Sequence, residues 1–219
     1  MILIGLTGSI GMGKSTAAAA LRRLGLPVHD ADAAVHRLLA PGGAAVGPVL
    51  AAFPDVADPA GGIDRQRLGA RVFGDPAALK RLEAILHPQV RAAKRRFLAA
   101  EARRRRPMVV LDVPLLYETG GERECDAVLV VSAPAFLQRQ RVLARPGMSE
   151  AKFRAILAKQ MPDREKRRRA GHVVPTGIGR RFSLDRLRAA LRAIERETGP
   201  RPRHLRDRGR SISMAHQPA

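Results

Sequence analysis

One eight-residue run constrains the architecture more than any other part of the chain. It reads Gly8-Ser9-Ile10-Gly11-Met12-Gly13-Lys14-Ser15, a full G-x-x-x-x-G-K-[ST] pattern. Its setting matters as much as its letters. An apolar, strand-like stretch over residues 2–7 runs into it, and residues 15–24 leave it with a helical stripe that Gly25 closes. A strand that turns into a helix through glycines presents backbone N–H groups at the positive end of the helix dipole, which makes an anion site. Gly8, Gly11, Met12 and Gly13 form the wrap around the phosphates. Lys14 reaches the β- and γ-phosphates as a point charge, Ser15 ligates magnesium and Thr16 donates to the α-phosphate. The run therefore predicts ATP with magnesium, and transfer of the γ-phosphoryl group to a hydroxyl of a small, nucleotide-like substrate.

Further short apolar strands fall at 26–29, 108–111, 127–131 and 172–174, alternating with helical stretches. That alternation predicts an α/β fold: a five-stranded parallel sheet with helices on both faces. The gap between the second and third strands is too long for a simple crossover. It carries helical patterns at 64–73, 76–86 and 88–105, and 36–104 reads as an inserted helical substrate domain. A second helical stretch, 135–169, is dense in Arg and Lys and reads as a lid. The nucleotide-binding core is then 1–35, 105–134 and 170–198. Residues 199–219 are rich in Arg, Pro, Ser and Gly without a hydrophobic period, and read as a disordered basic tail.

Carboxylates appear where the chemistry needs them. Asp30 and Asp32 follow the second strand, at the carboxyl edge where α/β sheets bind ligands. Transfer to an alcohol is helped by a carboxylate that takes the hydroxyl proton and holds the oxygen in line. Asp32 is assigned that role. Asp30 is read as a helix N-cap or as a holder of magnesium-bound water, on the acceptor side. His36, four residues past Asp32, shares its helical face and reads as a surface histidine. Asp112 ends the third strand like a Walker B carboxylate holding magnesium-bound water. The Val-Pro-Leu-Leu-Tyr-Glu run after it gives a bent exit and offers Glu118 as a substrate contact. His87-Pro88, between two helical patterns, by itself marks a break.

In the lid, Arg141 and Arg145 lie four apart, on one helical face. Two guanidinium forks so placed suit a lid that grips triphosphate oxygens in the transition state. Gln138, Arg139, Arg154, Lys159 and Gln160 accompany them, and for most of this set a solvated basic face is the bland reading. Arg141 is chosen as the catalytic arginine.

Composition enters on partners and compartment. A net charge of +20 suits a nucleic-acid binder, yet aromatics are only 3% and Trp is absent, leaving little to stack on bases. The basic excess is nearly all arginine in an Ala-, Gly- and Pro-rich chain, which is a global bias. Neither a nucleic-acid nor a membrane partner is expected, and the chain is expected to act as a monomer on small molecules. Cys125, the one cysteine, cannot form an internal disulfide, and with no export signal the expected compartment is the cytoplasm.

With these residues in place, the chain resembles the dephospho-coenzyme A kinase family. The resemblance is carried by Leu6-Thr7-Gly8-Ser9-Ile10-Gly11-Met12-Gly13-Lys14-Ser15-Thr16 and Asp30-Ala31-Asp32, then by Ile63-Asp64-Arg65. It continues in Leu82-Glu83-Ala84-Ile85-Leu86-His87-Pro88, in Asp112-Val113-Pro114-Leu115-Leu116-Tyr117-Glu118, and from Gln140-Arg141 through Arg145 to Gln160. Many kinases share the glycine loop; the His-Pro and Pro-Leu-Leu-Tyr-Glu blocks are more specific. The resemblance covers residues 1 to about 195. It implies a five-stranded core, a helical substrate domain and a lid. It also implies ATP-dependent phosphorylation of the ribose 3′-hydroxyl of dephospho-coenzyme A, the last step to coenzyme A. By it Asp32 is the base, Arg141 a catalytic lid arginine, and His87 lines the substrate side. One stretch departs: over 170–177 two expected acidic residues are missing and Thr176 stands where Asn is common, beside the expected adenine position. That departure bears on nucleotide selectivity. The competing readings are a kinase for another small nucleotide or nucleoside, and an ATP-gated nucleic-acid-binding module. No Asn-Lys-x-Asp guanine reader is present.

Overall fold

The strand entering the glycine run is the middle of the sheet. In a computed structural model describing residues 1–199, β1 (Ile2–Thr7) and β2 (Val28–Asp30) join β3 (Met108–Asp112), β4 (Ala127–Ser132) and β5 (His172–Pro175). All pairings are parallel, in the order β2-β3-β1-β4-β5. The second strand in sequence is not a neighbour of the first, because β3 sits between them. The reason is burial. Four of the five residues of β3 are buried, as an interior strand requires, whereas three-residue β2 is half-buried and suits the edge. In this register Asp30 is opposite Asp112, and Asp112 is opposite Leu6.

Two apolar clusters hold the chain. The first lies on the sheet, where Ile4, Leu6, Val110, Leu129, Val131 and Val174 meet helices α1 (Lys14–Arg23) and α9 (Arg180–Thr198). Helix α1 contributes Ala17, Ala18 and Leu21, small enough for close approach, and α9 contributes the stripe Leu187, Leu191 and Ile194. The second cluster joins α2 (Ala31–Leu39), α3 (Val46–Ala52), α4 (Arg65–Val72) and α5 (Pro76–Arg103) through Leu38, Val49, Phe53, Leu68, Ala78 and Leu82. The expected boundary at 36 falls inside α2, because Asp30 starts that helix directly at the strand end.

Helix α5 corrects a second expectation. Residues 76–103 form one helix that runs through His87-Pro88. Proline removes one N–H and crowds the carbonyl four residues back, here Ala84, which lies on the exposed face. Leu82, Ile85, Leu86 and Val90 pack against the second cluster on both sides of Pro88 and keep the helix continuous. Between β4 and β5 lie α6 (Ala135–Leu143), α7 (Glu150–Ala158) and α8 (Asp163–Arg169). The tail expected over 199–219 lies, beyond Gly199, outside the described residues.

Candidate active site

The glycine loop is shaped by close approach. A Cβ on Gly8 would come within 2.5 Å of Val131 Cγ2 and 2.8 Å of its carbonyl oxygen, so no side chain fits. Gly11 and Gly13 adopt φ of 77° and 88°, the left-handed region that glycine enters without penalty. Helix α1 begins with no side-chain cap, leaving its first N–H groups for a ligand.

A cavity of about 910 Å³ opens over this loop. It is lined by Lys14, Ser15 and Thr16 at the loop, by Arg145, and by the apolar Leu137, Val174, Leu184 and Leu187 beside Thr176 and Gly177, with Arg180 and Arg181 at the start of α9. A smaller cavity of about 270 Å³ adjoins it, lined by Arg22, Asp30, His36 and Asp112 among others. Lys14, Ser15 and Asp32 line both, so the two volumes meet at these three residues.

The charges at the junction are ordered. Lys14 Nζ pairs with Asp112 Oδ1 at 2.7 Å, and the Asp112 side chain is only 3% exposed. Burial pushes the Asp112 carboxyl above its ordinary range, against the pull of Lys14. Asp30 Oδ1 accepts from the Ala33 N–H at 2.9 Å, the N-cap geometry, and its other oxygen lies 3.7 Å from Arg22. Asp32 sits exposed in the first turn of α2, with no hydrogen bond or ion pair among the described residues. His36 lines the smaller cavity, its Nδ1 3.2 Å from an Arg65 nitrogen. Its four-residue spacing from Asp32 was the available signal for that placement; no pattern pointed to Arg22.

Ser15 and Asp112 offer hard oxygens to one cavity. Among the described residues no group of three or more His, Cys, Asp or Glu forms a cage. That donor set fits magnesium, which is held by one or two side chains and otherwise by water and phosphate.

Several expected site residues lie elsewhere. His87 is exposed on α5 and lines neither cavity, because the helix turns its Leu82, Ile85, Leu86 and Val90 stripe inward and residue 87 outward. Glu118 is likewise absent from both cavities. Its Oε1 accepts from Lys166 Nζ at 2.9 Å and from the Met161 N–H at 2.7 Å. Lys166 is completely buried and requires a counter-ion. Burial acts to raise the Glu118 carboxyl, but the bonds from Lys166 and Met161 outweigh it and hold the group below its ordinary value. Met12 packs into the core, where its Sδ accepts from the Ala133 N–H at 3.0 Å, so only its backbone belongs to the loop.

Arg141 lines the larger cavity, but its guanidinium is engaged by the protein. It donates to the Thr176 carbonyl at 2.8 Å and approaches the Gly11 carbonyl at 3.4 Å. Arg145 is exposed, lines the same cavity and has no partner among the described residues. The bland reading fails for Gln138 and Gln160, both of which bond to Ile10 in the loop.

A parallel sheet of this order, with a G-x-x-x-x-G-K-S loop at its carboxyl edge and two adjoining cavities over it, defines a P-loop kinase. The family model for dephospho-CoA kinase matches residues 2–177. The chain belongs to the dephospho-CoA kinase family. It is similar to the dephospho-CoA kinase of Paramagnetospirillum magneticum, 68% identical over 167 residues (76% of this chain, 78% of that one). The dephospho-CoA kinase of Rhodospirillum rubrum is 63% identical over 190 residues (87% of this chain, 90% of that one). Among solved structures, a Thermus thermophilus protein superposes with a TM-score of 0.74 at 40% identity, covering 91% of this chain and 98% of that one.

Proposed function

We propose that the chain transfers the γ-phosphoryl group of ATP to the ribose 3′-hydroxyl of dephospho-coenzyme A, giving coenzyme A and ADP. This is the final step of coenzyme A synthesis. The observation that carries the reading is the meeting of two cavities at Lys14, Ser15 and Asp32, in a chain of this family.

The triphosphate lies along the glycine loop, with the base among Leu137, Val174, Leu184 and Leu187. An ammonium has three donors, so Lys14 holds Asp112 with one and turns the others to the β- and γ-phosphate oxygens. The acceptor hydroxyl enters from the smaller cavity and reaches Asp32. Asp32 takes its proton as the acceptor oxygen bonds to the γ-phosphorus. The bond from that phosphorus to the bridging oxygen breaks, and ADP leaves with the electron pair. Arg145, with an unengaged fork, steadies the γ-phosphate oxygens in the transition state, while Arg141 works from the loop side. Ser15 and Asp112 would hold magnesium, which would supply charge neutralisation for the transferred phosphoryl group.

On the same reading, 36–104 meets the acceptor through His36, at the rim of the smaller cavity, and 135–169 acts as the lid. The monomer is the proposed catalytic unit, a reading supported by cavity linings that a single chain supplies. The cytoplasm is the proposed compartment; burial pushes the Cys125 thiol up to about 11, which leaves it unreactive there.

The test is to incubate purified protein with ATP, magnesium and a panel of dephospho-coenzyme A, AMP, CMP, adenosine and shikimate. Mass spectrometry with fragmentation locates the new phosphate. A 3′-phosphate on dephospho-coenzyme A alone is the expected product. Preferential transfer to another acceptor, or ATP turnover that depends on DNA or RNA, overturns the reading.

A further inference from the structure

Three consecutive carbonyl oxygens of the phosphate loop are met by side chains from outside it. Gln138 Nε2 donates to the Ile10 oxygen at 2.7 Å, and Thr176 Oγ1 donates to the Met12 oxygen at 2.7 Å. Between them Arg141 approaches the Gly11 oxygen at 3.4 Å. Gln160 Oε1 takes the Ile10 N–H at 3.0 Å, so Ile10 is gripped on both of its polar groups. The partners dictate the amide orientations, since a carbonyl only accepts and a backbone N–H only donates. Gln138 is 6% exposed and does not line the ATP cavity.

The consequence follows from peptide geometry. A trans peptide is planar, and its C=O points opposite to the N–H of the next residue. Turning the Ile10 oxygen toward Gln138 therefore aims the Gly11 N–H the other way, and turning the Met12 oxygen toward Thr176 does the same for Gly13. Gly11 and Gly13 line the cavity, and neither N–H has a protein acceptor among the described residues. Both residues sit at positive φ. A peptide next to glycine can rotate to present its carbonyl instead, and a carbonyl facing phosphate repels it. Thr176 is also wedged against the loop: a Cβ on Gly13 would come 3.1 Å from its Oγ1.

We propose that Gln138 and Thr176 are positioning residues for triphosphate binding, holding the Ile10 and Met12 carbonyls outward so that the loop's N–H groups face the phosphates. Neither residue touches the reacting atoms; Gln138 acts through the loop alone, and Thr176, which also lines the cavity, acts on the phosphates through the Met12 carbonyl. The inference rests on the larger cavity being the ATP site.

Thr176→Val keeps the shape and removes the hydroxyl, and Thr176→Ser restores it. Gln138→Met keeps the length without a donor, and Gln138→Glu sets an acceptor against the Ile10 carbonyl. ATP affinity by calorimetry, KM for both substrates and melting temperature are read for each. Thr176→Val and Gln138→Met are expected to weaken ATP binding about 5- to 50-fold, the scale of one buried hydrogen bond lost with its partner left unsatisfied. KM for the acceptor stays within about twofold, Thr176→Ser recovers ATP binding, and Gln138→Glu is worse than Gln138→Met. ATP affinity within about twofold of wild type in both folded Thr176→Val and Gln138→Met overturns the inference alone. So does an equal rise in both KM values, which marks general loosening. If Gln138→Met does not fold, the Thr176 pair decides. Wild-type protein that fails to bind ATP overturns the site reading and this inference with it.

Discussion

Glu118 carries a stability prediction that separates its observed role from substrate contact. The Lys166 side chain has no exposed surface, and its ammonium is held by Glu118 Oε1 at 2.9 Å and the Pro114 carbonyl at 3.3 Å. Removing one partner of a buried pair leaves an uncompensated charge, at a typical cost of about 3–5 kcal/mol. Glu118 is 17% exposed, so water reaches part of the pair and the lower end applies, about 3 kcal/mol for Glu118→Ala. Glu118→Gln keeps an oxygen for the Met161 N–H and costs less. Adding Lys166→Met removes the stranded charge and recovers part of the loss, so the double-mutant cycle shows coupling. Urea unfolding at several pH values is the assay. Because the Glu118 carboxyl is held below its ordinary 4.5, its contribution is whole above that value and disappears as pH falls through the depressed one. Glu118→Ala flattens that part of the acid limb. A loss under about 1 kcal/mol, well below the buried-pair range, refutes the brace, and so does a selective rise in acceptor KM at unchanged stability.

Asp32→Asn slows the chemical step in single turnover by about 10²- to 10⁴-fold with ATP binding unchanged, the range for loss of a general base; Asp30→Asn instead lowers stability slightly, since it keeps the α2 cap oxygen but loses the charge facing Arg22 and the helix N-terminus. A larger chemical defect in Asp30→Asn reverses the assignment. Arg145→Ala lowers kcat more than it weakens ATP binding, while Arg141→Ala weakens ATP binding through the Gly11 and Thr176 contacts; equal effects on both parameters in both variants contradict this division. Lys14→Met abolishes transfer, and it also lowers melting temperature, because Asp112 loses the partner that opposes its burial. His36→Ala raises KM for the acceptor and Leu184→Ala raises KM for ATP, as steady-state kinetics with each substrate varied will reveal; the reverse pattern exchanges the two cavities.

Much of this architecture was legible because glycine loops and apolar strands are local signals. The Gly8–Ser15 run and all five strands could be placed from short stretches of sequence. Strand order was not local: nothing in Val28-His29-Asp30 shows that Met108–Asp112 lies between it and β1. Pro88 misled for a related reason, since a helix-breaking rule was overridden by packing on both sides of it. His87, Glu118 and Met12 were near the right elements but point elsewhere, and direction depends on which stripe a partner helix buries. The loop clamp was beyond reach altogether. Its contacts from Gln138, Gln160 and Thr176 span 128, 150 and 164 positions, and Gln and Thr carry no charge to betray them.

On the proposed function, the strand order also puts the acceptor and the nucleotide base on opposite sides of the transferred group. In a parallel sheet every strand ends at one edge, so Thr7, Asp30, Asp112, Ser132 and Pro175, the last residues of the five strands, lie along that edge. The glycine loop leaves from β1 at the centre of that edge, and on the proposed function the phosphates lie there. On one side, β3 and β2 deliver Asp112 and Asp30, with Asp32 in the helix that follows. On the other, β4 and β5 deliver the α6 start and the Thr176 turn, with the apolar wall of α9 behind them. The long insertion hangs from β2 and the basic helices from β4, one on each flank of the loop. On that reading, an acceptor from the β2 flank and a nucleotide whose base lies on the β5 flank meet beside Lys14, Ser15 and Asp32, which line both cavities. Closing the β4 flank over the triphosphate would shut water out of that meeting point without displacing the acceptor carboxylate, because Asp32 belongs to the other flank.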